Sequence, residues 1–271
     1  MIIVPVYLYR RYALIEILTP AEIARARRSG ALVGEILAAL SSRAVPGTNL
    51  LDIDRWAREM ILGAGARSCY VDYEASFGTG PFGHWICTAV NDAVLHGMPR
   101  DLELVDGDLL TLDLALTLEG VAADAAISMV VGGAGRPEDE RMIAATRAAL
   151  AAGIAAATGG SRIGDISHAI GQELSAAGYP INREFGGHGI GSTMHQDPHV
   201  ANIGRPGRGL RLRPGLMLAL EPWVMEGTDR LITDPDGWTL RSATGSRAAH
   251  TEHTVLITEG AAEVLTLPPS P

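Results

Sequence analysis

A chain of 271 residues with 47% apolar composition is long enough to bury a sizeable core, as one large domain or two fused halves. A net charge of −9 without a basic tail argues against a nucleic-acid partner, and the absence of lysine among the 22 basic residues excludes Schiff-base chemistry through that side chain. Two cysteines, Cys69 and Cys87, fit a reducing compartment rather than a disulfide scaffold.

The first residues, Met1 to Tyr9, are apolar, but Arg10 and Arg11 follow the run. A secretory signal carries its charges first. No stretch has the length of a membrane span. The expectation is a cytoplasmic monomer without membrane contact.

Thr19-Pro20-Ala21-Glu22 predicts a helix start, with a capping threonine, proline at the first helical position and a glutamate closing a capping box. That helix runs to about Ser42, and a second spans about Asp52 to Leu62. Strands are expected at about 85–90, 108–118 and 121–131. Pro137 opens a helix to about Ala157, and another runs from about Asp165 to Ala177. Further strands are expected at about 181–185, 216–226 and 252–258, with a long loop over 191–215. The proline-rich end, Pro268 to Pro271, is expected to fray.

Helix, helix, strands thus occurs twice. Gly47, Asp52, Ile53 and Gly65 match Gly160, Asp165, Ile166 and Gly178 at one constant offset of 113. The expected organisation is a single domain over 1–271, with pseudo-repeats at about 19–131 and 137–258. Two fused halves place a site at their shared interface.

Five residues in these segments suit one dinuclear metal site: Asp113, Asp124, His188, Glu221 and Glu252. Carboxylates are rarely buried unless paired or metal-bound, and four of them lie in apolar, strand-like runs. If Glu119-Gly120 forms a two-residue hairpin loop, Ala115 lies opposite Asp124. Asp113 and Asp124 then become diagonal neighbours on one face, about 7–8 Å apart. His188 sits in Gly186-Gly187-His188-Gly189-Ile190-Gly191, where glycine permits close backbone approach. One nitrogen among oxygens suits divalent manganese, iron, cobalt or zinc, and the sequence does not choose. Dispersed ligands that include histidine do not suit a calcium loop.

Metal-activated water makes hydrolysis the leading chemistry. Cleaving an amide also needs oxyanion stabilisation and a proton for the leaving amine. His96 and His195 are candidates for these tasks, or else surface histidines. His84, His168 and His199 read as structural or surface residues, and His250 and His253 receive no role.

These segments resemble the methionine aminopeptidases of the short bacterial type I form, in metallopeptidase family M24. The resemblance runs from about Thr19 to Leu267 and matches the family's ligand motifs at all five positions. Asn91 to Pro99, Gly187 to Gly191, Leu220-Glu221-Pro222 and Glu252-His253-Thr254 carry it. It implies an α/β (α+β) pita-bread fold, with two pseudo-symmetric αβ halves around a curved antiparallel sheet. It also implies two divalent metal ions (cobalt, manganese, iron or zinc) and a peptide or nascent-chain substrate with a free N-terminal methionine. By similarity, Glu221 is both ligand and general base, His96 assists proton transfer, and His195 polarises the carbonyl. Cys87, Phe82, Met194 and Trp238 are implied to line the methionine pocket.

The chain departs from the family pattern in places. A longer, glycine-rich loop, Glu74 to Ile86, replaces the usual short one beside the pocket. Met194 stands for the usual phenylalanine, Gln196-Asp197 for Glu-Glu, Ala248 for serine and Thr251 for tyrosine. Proline dipeptidases share the ligands but usually carry an N-terminal domain, and type II aminopeptidases insert a helical subdomain between the second histidine and the next glutamate. Here 25 residues separate His195 from Glu221, which favours type I. The alternatives are a family member with an altered substrate, whether another aminopeptidase or an enzyme of specialised metabolism, and a catalytically dead binding protein. Release of methionine from short peptides separates them.

Overall fold

The computed structural model describes residues 15–75 and 78–268. The apolar run Met1 to Tyr9, residues 269–271 of the proline-rich end and residues 76–77 of the Glu74–Ile86 loop lie outside them.

Helix α1 (Pro20–Arg43) starts as its sequence announces. The Thr19 hydroxyl accepts the Glu22 N–H, and Glu22 accepts the Thr19 N–H at 2.8 Å. Helix α2 (Leu50–Gly63) is capped by Asn49, whose side chain accepts the Leu51 N–H at 3.0 Å. The second half supplies α3 (Pro137–Ala156) and α4 (Ile163–Ala176). Helices α2 and α4 begin and end at the offset of 113. Their approaches also match. Gly47 N–H bonds Leu104 O as Gly160 N–H bonds Leu212 O, and Leu50 N–H bonds Leu102 O as Ile163 N–H bonds Leu210 O.

The strands are β1 (Arg67–Ser68), β2 (Cys87–Val90), β3 (Ala93–Leu95), β4 (Leu109–Leu118) and β5 (Val121–Val130) in the first half. The second half has β6 (Gly186–Gly189), β7 (Gln196–Ala201), β8 (Met217–Leu220), β9 (Trp223–Met225), β10 (Leu231–Thr233), β11 (Leu240–Ser242), β12 (Ala248–His250), β13 (Glu252–Leu256) and β14 (Glu263–Val264). Among the described residues the main sheet is antiparallel and nine-stranded, in the order β1-β4-β5-β13-β8-β6-β7, with β2 also on β4 and β14 on β13. Strands β10, β11 and β3 form one small sheet, and β12 and β9 another.

Three expectations need correction. The strand expected over 181–185 begins at Gly186, because Asn182 Oδ1 accepts the Glu184 and Phe185 N–H groups and turns the chain there. The loop expected over 191–215 contains β7, which pairs with β6. The run 216–226 breaks into β8 and β9 at Glu221-Pro222, where proline offers no N–H to a ladder.

Each half packs its helix pair on its own part of the sheet. Ile36 and Leu40 of α1 and Ile53 and Ile61 of α2 pack in one core with Leu110, Leu112, Leu114 and Leu116 of β4. Met142 and Leu150 of α3 and Ile166, Ile170 and Leu174 of α4 pack in another with Leu218, Leu220 and Val255. Alternation along each strand sends the intervening residues to the face away from the helices.

Candidate metal centre

Glu119 and Gly120 both adopt positive φ, 51° and 81°, and form the two-residue hairpin loop between β4 and β5. That loop sets the register, with Ala115 opposite Asp124 and Asp113 opposite Ala126. Since the even-numbered leucines of β4 face the helices, Asp113 faces the other way. Glu252 opens β13 opposite the same Ala126. One alanine thus has a carboxylate residue on each neighbouring strand.

His188 comes from β6, opposite Ala219 of β8. A Cβ at Gly187 would lie 2.2 Å from Ala219 O, and one at Gly189 would lie 2.1 Å from Asp197 O. The glycines flanking the imidazole therefore allow β6 to fit closely between β7 and β8. Glu221 follows β8 directly, and its carbonyl accepts from Asn202 Nδ2 at 3.0 Å.

All five residues line one cavity. The candidate ligand atoms of Asp124, His188 and Glu252 lie within 4.8 Å of one another. His188 Nε2 is 3.8 Å from Glu221 Oε1. The Tyr70 hydroxyl donates to Asp113 Oδ1 at 2.5 Å and lies 3.3 Å from Asp124 Oδ1, so it ties the two aspartates together. The His188 Nδ1 is 3.0 Å from Gly189 O, which can only accept. Nδ1 therefore carries the proton of the neutral ring, and the Nε2 lone pair is directed to coordination.

The electrostatics call for a cation. Burial raises the Asp113 carboxyl to about 6. Burial, then the Asp113 charge, raises Glu221 to about 8. Asp124 and Glu252 are pushed well above the usual carboxylate range, first by burial and then by the other carboxylates. Glu252 is 3% exposed, and its Oε1 has no hydrogen-bond partner among the described residues. Like charges gathered out of water are stable only if neutralised. Four carboxylates and one imidazole fit a divalent cation of the manganese, iron, cobalt or zinc kind.

The candidate catalytic histidines stand around this cluster. His195 Nδ1 is 2.7 Å from the Tyr73 hydroxyl, and its ring meets the His188 ring edge-on at 4.3 Å. His96 has φ 54°, a left-handed conformation uncommon outside glycine and a form of strain found at functional sites. Burial lowers both rings to about 4, with His96 further depressing His195. Both are therefore neutral at neutral pH.

Phe82, Cys87, Met194 and Trp238 pack with Tyr70 and Ala115 in one apolar cluster that borders the same cavity. The Phe82 ring stands edge-on to Trp238 at 5.2 Å and to Tyr70 at 5.7 Å. Burial pushes the Cys87 thiol well up, so this wall is uncharged.

Tyr70, Tyr73 and His250, none of them a site candidate by sequence, also line the cavity. No local signal marks the tyrosines. They reach the site because β1 pairs with β4 and the Cys69 N–H bonds Ala115 O. His250 had a signal, since it lies two residues before Glu252 and alternation puts both on one face. His253 instead contacts Thr266 Oγ1 at 2.9 Å, and His84 contacts Asp54 at 3.1 Å. The Thr251 hydroxyl is 2.9 Å from that of Thr146 on α3.

Comparison with known proteins bears on the family and the fold. The family described as metallopeptidase family M24 matches residues 24–259. The chain is 42% identical over 246 residues to methionine aminopeptidase 1 of Mycobacterium tuberculosis, covering 88% of this chain and 90% of that protein. It is 40% identical to methionine aminopeptidase of Clostridium perfringens, covering 91% of this chain and 96% of that protein. The crystal structure of methionine aminopeptidase from Thermotoga maritima superposes with a TM-score of 0.88 at 34% identity, covering 94% of this chain and all of that one. Prolidase from Pyrococcus furiosus shares the fold alone, at 19% identity and a TM-score of 0.71, and this chain covers 66% of it.

Proposed function

The chain belongs to metallopeptidase family M24, and from that premise we propose that its buried cavity removes N-terminal methionine from peptides and nascent chains. It is a metallo-aminopeptidase of the pita-bread fold. Relatives named methionine aminopeptidase match it over most of their own length, which disfavours the altered-substrate alternative. The observation that carries the reading is the convergence of four buried carboxylates and one imidazole beside an apolar wall.

Asp113, Asp124, His188, Glu221 and Glu252 would hold two divalent ions, and their donor chemistry suits cobalt, manganese, iron or zinc. When bound, such ions supply Lewis-acid polarisation and a water-derived nucleophile at neutral pH. Glu221 would take a proton from the attacking water. His195, neutral and held at Nδ1 by Tyr73, donates from its other nitrogen to the carbonyl oxygen. His96, also neutral, assists proton transfer to the leaving amine. The free amine of residue one lies against the carboxylate cluster, which excludes acetylated ends. The methionine thioether lies among Cys87, Phe82, Met194 and Trp238, where sulfur and aromatic surfaces suit it.

The test is turnover of a Met-Ala-Ser peptide against the same peptide starting with norleucine, leucine or proline. Chelation should abolish cleavage, and added manganese or cobalt should restore it. Norleucine, unbranched and of similar volume, should be accepted nearly as well as methionine. Full turnover by metal-free protein, or fastest cleavage of the proline peptide, would overturn the reading.

A further inference from the structure

His250 lies at the cavity without a task in this scheme. It is 2% exposed and lines the same cavity as the five ligand residues. Its Nε2 has no hydrogen-bond partner among the described residues and lies 3.8 Å from Glu252 Oε2. The fold does not need the ring to hold this strand. The His250 N–H donates to Ser128 Oγ at 2.8 Å, and the His250 carbonyl accepts from that same hydroxyl at 2.7 Å. On its other edge His250 pairs with Trp223.

A buried polar nitrogen without a partner is costly, and at a functional site it marks an interaction that a ligand completes. The neighbouring carboxylate favours the tautomer with hydrogen on Nε2, because a lone pair there would face negative charge. The group offered is thus a neutral N–H donor beside Glu252.

We propose that His250 is a substrate-binding residue whose Nε2–H donates to the backbone oxygen of residue one, and to the carboxylate of the released amino acid. This rests on the aminopeptidase reading. The carbonyl oxygen of residue one has two lone pairs, so His195 and His250 serve it together as two donors.

The test compares two competitive inhibitors in manganese-loaded protein. L-Methionine carries the carboxylate, and 3-(methylthio)propylamine has the same amine and thioether without any oxygen. His250→Leu removes both ring nitrogens at similar bulk, and His250→Gln restores an N–H near the Nε2 position. The leucine variant should bind L-methionine about 10-fold more weakly, the size of effect expected for one lost hydrogen bond to a charged group. It should bind the oxygen-free amine as the parent does, with unchanged manganese content by mass spectrometry. The glutamine variant should recover most of the loss. If the leucine variant does not fold, His250→Asn, whose shorter side chain keeps its amide N–H groups short of the Nε2 position, carries the same comparison. Equal losses for both inhibitors, lowered manganese content, or no recovery with glutamine would overturn the assignment. Failure of the unmodified protein to cleave Met-Ala-Ser overturns the aminopeptidase reading itself, whereas an active parent with unaltered inhibitor selectivity in the variants overturns only the role of His250.

Discussion

In the proposed mechanism Glu221 has two tasks that a substitution can separate. As a ligand it needs an oxygen directed at the cation, and as a general base it needs a lone pair that can accept a proton. Glutamine keeps the first and removes the second. Glu221→Gln is therefore expected to lower kcat by about 10²–10⁴, the usual weight of general-base catalysis. KM for Met-Ala-Ser should change far less. Metal content must be measured in the same sample, because a normal rate with full metal loading would remove Glu221 from the base role. Glu252 makes a useful contrast. It is buried beside the same cluster, but its neighbour is His250, so Glu252→Gln should act mainly through metal affinity.

Strands β5 and β13 form the seam between the two halves, and their pairing is unusual. Glu252 and His253 pair with Ala126 and Ala125. On one side of that pairing the Asp124 N–H donates to Thr254 Oγ1 at 2.9 Å, and the same hydroxyl donates to Asp124 O at 2.8 Å. On the other side Ser128 Oγ treats the backbone of His250 in the same way. Two hydroxyls thus stand in for ladder bonds where the strands separate. Thr254→Val keeps the shape and orphans a buried N–H and C=O, at a cost of about 1–3 kcal/mol each before relaxation. It should lower Tm and weaken metal binding, since Asp124 is held from its backbone. A denaturation midpoint equal to the parent's would contradict this. Much of this site is legible in the sequence. The two-residue loop sets the β4–β5 register, and carboxylates inside apolar runs point to a shared cation. What is not legible is set by non-local pairing. Tyr70 and Tyr73 enter through β1 on β4, β7 exists because β6 lies beside it, and the hydroxyl seam depends on which strands meet. The turn at Asn182 and the break at Pro222 are readable from residue type.

At the scale of the whole molecule, a centre at this seam couples metal binding to the stability of both halves. The sign follows from the carboxyls. Burial raises Asp113 from 3.8 to about 6 and Glu221 from 4.5 to about 8, and Asp124 and Glu252 are also raised, by burial and then by the neighbouring carboxylates. A carboxyl whose folded value is raised binds its proton more tightly in the folded state. In metal-stripped protein its contribution is fully present below about pH 4 and is lost as pH rises through 4.5 toward about 8. Buried histidines act oppositely. His188 and His250 are lowered to about 3 and His96 and His195 to about 4, so each withdraws stability as pH falls below 6.5. Absolute stability against pH therefore mixes two opposing slopes. The difference in Tm with and without a fixed manganese concentration separates them, because bound metal must displace the carboxyl protons. His188 contributes little to that difference, since its Nε2 is already unprotonated. The manganese-induced rise in Tm should be small at pH 5 and large at pH 8. Thermal unfolding of chelator-treated protein, with and without manganese across that range, measures it. Equal increments at both ends would mean that the buried carboxyls do not take up the protons that their burial requires.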